Sequence, residues 1–225
     1  MKVLIFGEHK NEIEPLVKSF DFEITESKPD FVISYGGDGT LIRAEHYFPG
    51  LPKIILNSGK ICKKCSKLNN EEILKKIANN DYGLEELLKL EAKAEDKILC
   101  AINDIIIHNQ DARHAVRYHL LLNNKLIGNE IIGDGIVIAT PFGSTAYYRS
   151  ITDSFFEVGI GVAFNNSTEQ ADHMVVRDDS EIKIQIIRGP AVVYADNQKE
   201  CIELNEGAEA LVRRSSQTAK VIKLK

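Results

Sequence analysis

No run of apolar residues in this 225-residue chain approaches the ~20 needed to cross a membrane as a helix. The opening MKVLIFGEHK has neither a long apolar core nor a small-residue cleavage site. It is read as a first strand rather than a leader, and a cytoplasmic location with no membrane partner is expected. Excess positive charge is also missing: 28 basic against 33 acidic residues leave a net charge of -5, which argues against a nucleic-acid partner. Cysteine is scarce. Four residues, of which Cys62 and Cys65 alone form a Cys-x-x-Cys, are too few for a disulfide framework. No second pair or spaced histidines complete a zinc site, so no protein-held metal is expected. The thiols are read as free and without a role, with a redox pair at Cys62 and Cys65 as the alternative. There is no internal repeat, low-complexity segment, long linker or Walker-type Gly-x-x-x-x-Gly-Lys-Ser/Thr, so any bound phosphate must be held in another way.

What the chain does have is Phe31-Val-Ile-Ser-Tyr-Gly-Gly-Asp-Gly-Thr40. A β-branched apolar run ends in glycines around one acid, Asp38. This predicts a buried parallel strand, a turn open to close approach, and a helix over Leu41 to Tyr47 capped by Thr40. Exposed N–H groups at the positive end of a helix suit phosphate oxygens. An acid in such a place suits a general base toward a hydroxyl that receives a phosphoryl group.

Before residue 80, strands and helices alternate. Strands are expected at Lys2 to Phe6, Phe22 to Thr25 and Lys53 to Leu56. One helix is expected from an Asn11–Glu14 capping pair with Pro15 in its first turn, and another from Asn69 through Ile77. That pattern is an α/β layer with a parallel sheet. Leu84 to Lys93 fits helix or strand equally. From Lys97 the runs are β-like, with a hairpin at Asn123-Asn124 and two closing strands between Ala210 and Leu224. The expected fold is therefore an α/β, Rossmann-like N-terminal domain over residues 1–95 and an all-β domain over 96–213, with a tail about 214–225 packing back on the first.

Two further stretches carry chemistry. Asn103 and Asp104 interrupt the apolar run Ala101 to His108, where burying an amide and an acid is costly without partners. A vicinal diol such as a ribose pair would satisfy both. The second stretch runs from Gly133-Asp-Gly through Thr140-Pro-Phe-Gly-Ser-Thr-Ala-Tyr147, where Ser144 and Thr145 are candidates to cap a ligand-holding helix.

Gly36-Gly-Asp-Gly-Thr40, Asn103-Asp104 and Gly-Asp-Gly followed by Thr-Pro-x-Gly-Ser-Thr-Ala-Tyr occur in this order in NAD kinases, and most of the chain resembles that family. The tail, with Tyr194-Ala-Asp-Asn-Gln198, is similar as well. The resemblance implies phosphorylation of the adenosine-ribose 2′-hydroxyl of NAD by Mg²⁺-ATP to give NADP, with Asp38 as proton acceptor. It implies contacts to NAD or ATP from Gly37, Gly39, Thr40, Arg43, Asn103, Asp104, His114, Asp134, Thr145, Ala146, Tyr147, Tyr148, Arg149, Ser150 and Gln198. Ile132 stands at a position usually basic in the family. The resemblance further implies a divalent cation carried by the donor phosphates, polyphosphate as an alternative donor, and a homodimer or homotetramer. Where the family has an apolar run after its Asn-x-Gly, this chain has Asn57-Ser-Gly-Lys-Ile-Cys-Lys-Lys-Cys65. Two rivals share the Gly-Gly-Asp-Gly turn: a kinase of another hydroxyl substrate, lipid or sugar, and a dinucleotide sensor without catalysis.

Overall fold

The computed structural model describes residues 1–59, 62–168 and 173–225. It divides into two compact units, one of Met1–Leu87 with Thr218–Lys225, the other of Leu88–Gln217.

The first unit is the α/β layer. Strands β1 (Lys2–Phe6), β2 (Glu23–Ile24), β3 (Phe31–Gly36) and β4 (Lys53–Asn57) form a parallel sheet in the order β2-β1-β3-β4. Helices α1 (Lys10–Lys18), α2 (Asp38–Tyr47) and α3 (Asn70–Ala78) connect or follow them. Strand β3 is buried along nearly its whole length, as expected for a central parallel strand covered on both faces. Val3, Ile5, Ile33, Leu56, Ile73 and Ile77 build the core.

Several local expectations need correction. Helix α1 starts at Lys10 after His9, without a side-chain cap, so Asn11 is already helical and no capping box forms there. Pro15 consequently lies in the second turn, inside the helix. Helix α3 does carry the box: the Asn69 side chain accepts the Glu72 N–H, and Glu72 accepts the Asn69 N–H, each at 2.9 Å. The helix after the glycines starts at Asp38 with Gly37 as its cap, three residues before Leu41, so Thr40 is not the cap. The ambiguous stretch is a strand, β5 (Tyr82–Ala94).

The second unit is β-rich. In chain order it contains β6 (Lys97–Ala101), β7 (Asp104–Asn109), β8 (Val116–Leu122), β9 (Lys125–Gly133) and β10 (Gly135–Ala139). There follow helix α4 (Tyr147–Thr152), β11 (Ile160–Asn165), β12 (His173–Val176), β13 (Ile182–Arg188), β14 (Ala191–Ala195), β15 (Cys201–Leu204) and β16 (Glu209–Leu224). The presence of α4 makes the unit β-rich rather than strictly all-β. Six antiparallel strands form one sheet in the order β12-β11-β10-β7-β14-β15. In another, β13 pairs with the start of β16, β8 with β13 and β9 with β8, all antiparallel. Asn123 and Asn124 both have positive φ, 51° and 63°, the two-residue hairpin geometry anticipated from the sequence. The segment from Ala210 to Leu224 is one strand rather than two.

Candidate functional site

In the first unit the site begins with Gly36. A Cβ there would lie 2.2 Å from the Thr40 hydroxyl oxygen, so only glycine lets the first turn of α2 fold directly over the end of β3. Gly37 stays extended, and Asp38 becomes the first helical residue, which sets its charge at the positive end of the helix dipole. The carboxylate faces the segment after β4. Lys63 N–H donates to Oδ2 and Lys64 N–H to Oδ1, both at 2.9 Å. Cys62 Sγ lies 3.1 Å from Oδ1.

Cys62 and Cys65 form a disulfide, which corrects the expectation of free thiols. A disulfide sulfur has no hydrogen to donate, so the 3.1 Å approach is a sulfur–oxygen contact. Burial pulls the Lys64 ammonium below its ordinary value, Asp38 opposing that shift and Lys63 adding to it. The start of the segment is tied down: Asn57 N–H donates to the Asn70 side chain at 3.0 Å, and Asn70 Nδ2 donates back to Asn57 O at 2.9 Å. Arg43, on the same helix as Asp38, reaches Glu8 at 3.4 Å on the surface. Gly37, Gly39 and Thr40 all belong to the first turn of α2 or its cap.

In the second unit the two remaining motifs dock on each other. Thr140 N–H donates to Asn103 O at 2.8 Å, and the Thr140 hydroxyl donates to Ile102 O at 2.6 Å. The same hydroxyl oxygen accepts Gly143 N–H at 3.0 Å. A Cβ at Gly143 would meet Asn103 O at 2.1 Å, so the fourth residue of Thr-Pro-Phe-Gly is required by close backbone approach. Asp196, on the turn after β14, completes the arrangement. Its carboxylate accepts the N–H groups of Ile102, Asn103 and Asp104 at 2.8, 2.7 and 3.1 Å.

Burial and the neighbouring Asp196 charge raise the Asp104 carboxyl to about 7. Burial also raises Asp196, to about 6, against the opposing pull of its three N–H donors and Lys89. Near them, the Tyr147 hydroxyl oxygen accepts Asn165 Nδ2 at 3.0 Å. Burial raises its phenol, and the Asp134 and Asp104 charges add to the rise. Asp134 accepts Asn166 Nδ2 at 2.6 Å and Asn109 Nδ2 at 3.3 Å. Asn103, Asp104, Asp134 and Tyr147 thus belong to one polar neighbourhood.

The remaining candidates have more varied settings. Tyr148 is fully buried with its ring 5.0 Å from that of Phe156. Ser144 does not cap a helix; its hydroxyl donates to Pro141 O at 2.8 Å and Phe156 O at 3.0 Å. Ala146, not Ser144 or Thr145, precedes α4. Arg149 and Ser150 are exposed on α4, and Thr145 is half-buried in the short turn before it. His114 is exposed, with Nδ1 3.3 Å from Asp111. Ile132 is half-buried in β9. Gln198 Nε2 donates to Cys100 O. Sequence reasoning missed the role of Asp196, although its position in an Ala-Asp-Asn turn directly after an apolar strand was a usable signal. It also missed the Lys63–Lys64 amides, which no side-chain pattern reports.

Comparison with known proteins gives a consistent result. The family model for the ATP-NAD kinase C-terminal domain matches residues 102–224. The NAD kinase of Carboxydothermus hydrogenoformans is 29% identical, over 93% of this chain and 80% of its own. That of Caldicellulosiruptor saccharolyticus is 30% identical, over 88% of this chain and 78% of its own. Among solved structures, an Archaeoglobus fulgidus NAD kinase in complex with ATP superposes with a TM-score of 0.84 at 21% identity, covering 100% of this chain and 94% of that one. Yeast NADH kinase complexed with NADH gives 0.88 at 14% identity, covering 100% and 84%. These two likenesses establish a shared fold.

Proposed function

The chain belongs to the NAD kinase family, and from that premise we propose that it transfers the terminal phosphoryl group of ATP to the adenosine-ribose 2′-hydroxyl of NAD, giving ADP and NADP. The observation that carries the reading is Asp38 at the first position of α2, directly after a glycine turn at the end of a buried parallel strand. Its carboxylate takes the hydroxyl proton as that oxygen attacks the γ-phosphorus. The new oxygen–phosphorus bond forms while the bond to the ADP oxygen breaks, and the proton remains on Asp38 until product leaves.

Residues 1–95 with the tail are assigned donor binding and the base, residues 96–213 the dinucleotide. Gly37, Gly39, Thr40 and Arg43 are assigned to the phosphates. Asn103 and Asp104 are assigned to the ribose hydroxyls, and Asp134, Thr145, Ala146, Tyr147, Arg149, Ser150, Ile132, His114 and Gln198 to the rest of the dinucleotide, while Tyr148 packs in the core beneath them. Among the described residues no group of three His, Cys, Asp or Glu is placed to hold an ion. A divalent cation is assigned to the donor phosphates, where it would neutralise their charge. A homodimer or homotetramer is the proposed assembly.

The test is NADP formation by the purified chain, supplied in turn with Mg-ATP and polyphosphate, and with NAD and NADH, beside Asp38→Asn. Activity that vanishes in the variant supports the reading. NAD binding without turnover of any donor would favour the sensor.

A further inference from the structure

Cys62 and Cys65 close a ring of four residues, and the two residues inside it are the ones whose amides hold Asp38. A carboxylate offers about four lone-pair positions. Here Lys63 and Lys64 N–H groups occupy one on each oxygen, and the Cys62 sulfur stands against Oδ1. A hydroxyl that is to surrender its proton to Asp38 needs one of those positions, and these contacts leave about one, on Oδ2. The covering segment, residues 62–65, lies in no helix or strand, so the cross-link rather than a backbone ladder shapes the ring. Both cysteines are only half-buried.

We propose that Cys62–Cys65 is a thiol–disulfide exchange site whose oxidised form keeps Asp38 covered and slow, and whose reduction by a dithiol uncovers it. The inference rests on Asp38 being the base of the reaction. A thiolate of the dithiol attacks the Cys65 sulfur, the one of the two that does not stand against the Asp38 carboxylate. The Cys62–Cys65 bond breaks, a mixed disulfide forms on Cys65, and Cys62 leaves as thiolate and is protonated. The second thiol of the reductant then attacks the mixed disulfide, freeing Cys65 and leaving the reductant as its own disulfide. Two electrons and two protons pass to the cysteine pair, and an oxidised dithiol reverses the exchange. Without the cross-link the four-residue segment regains backbone freedom, and the two amides no longer stay on the carboxylate.

The full-length protein is equilibrated with reduced or oxidised dithiothreitol. Alkylation mapped to Cys62 and Cys65, amide exchange at Lys63 and Lys64, and NADP formation are then followed on the same samples. Reduction is expected to make both thiols alkylable and to speed exchange of the two amides about tenfold or more. It is expected to raise kcat roughly threefold or more with the KM for NAD within about twofold. The double variant Cys62→Ser, Cys65→Ser should show the reduced rate in either reagent, which separates the effect from Cys100 and Cys201. An active enzyme whose kcat is equal in both states or lower after reduction overturns the proposal. So does a redox response that survives in the double variant. Redox-dependent amide exchange in a protein that forms no NADP in either state strikes the kinase reading alone and supports the exchange site.

Discussion

Asp196 holds Asp104 in two opposed ways: its carboxylate accepts the Asp104 N–H at 3.1 Å, and its charge pushes the Asp104 carboxyl upward. The first contact fixes the turn that presents Asn103 and Asp104. Burial, with that charge added to it, makes the state of the turn sensitive to protons near neutrality.

That sensitivity sets a pH window for stability. Both carboxyls lie above the ordinary 3.8, at about 7 and about 6 in the folded protein. Between the ordinary value and these, the folded chain retains protons that the unfolded chain has released, so the unfolding free energy falls as pH rises. Urea midpoints measured from pH 4 to 8 should decline across that interval, and Asp104→Asn should flatten the decline. A wild-type midpoint that climbs from pH 5 to 7 would contradict the buried pair as described.

Asp196→Ala removes the acceptor for three N–H groups at once. Leaving buried donors unpaired costs about 1–3 kcal/mol each before relaxation and water entry. The expected result is a clear loss of stability and a KM for NAD that rises more than kcat falls. Asp196→Asn, which retains one acceptor oxygen, should recover part of both. A variant whose KM is unchanged while kcat collapses would show that Asp196 does not act through the Asn103–Asp104 turn.

Asp38→Asn should lower turnover by roughly 10²–10⁴-fold while NAD affinity, read by calorimetry, stays within about twofold. Near-normal turnover in this variant would remove Asp38 from the role of base.

Gly143→Ala places a methyl group 2.1 Å from the Asn103 carbonyl oxygen. Backbone cannot swing aside as a flexible side chain can, so a destabilisation of about 1–3 kcal/mol is expected, with weaker NAD binding. A urea midpoint equal to wild type would mean that the two turns separate easily.

Much of this was legible because apolar runs and glycine turns are local signals. Phe31 to Gly36 reads as a central strand from its own residues, and Asn103-Asp104 is conspicuous against its apolar neighbours. Other features depend on partners distant in sequence. Asn11 and Glu14 have the same spacing as Asn69 and Glu72, yet only the second pair caps, because α1 starts before Asn11. The polar stretch Arg213 to Thr218 looks like a break between strands, but β16 runs through it unbroken. Asp196 is remote in sequence from the turn that it holds. The Lys63 and Lys64 contacts are made by backbone, which carries no residue signature at all.

Strand β16 also sets a constraint on synthesis. Its final residues, Thr218–Lys225, belong to the first unit, where Val221 pairs in parallel with Lys53 and Lys225 N–H donates to Asp81 O. A nascent chain that has exposed everything up to Gln217 therefore still lacks one strand of this layer, and the edge of β4 can be completed only after the residues beyond Gln217 have emerged from the ribosome.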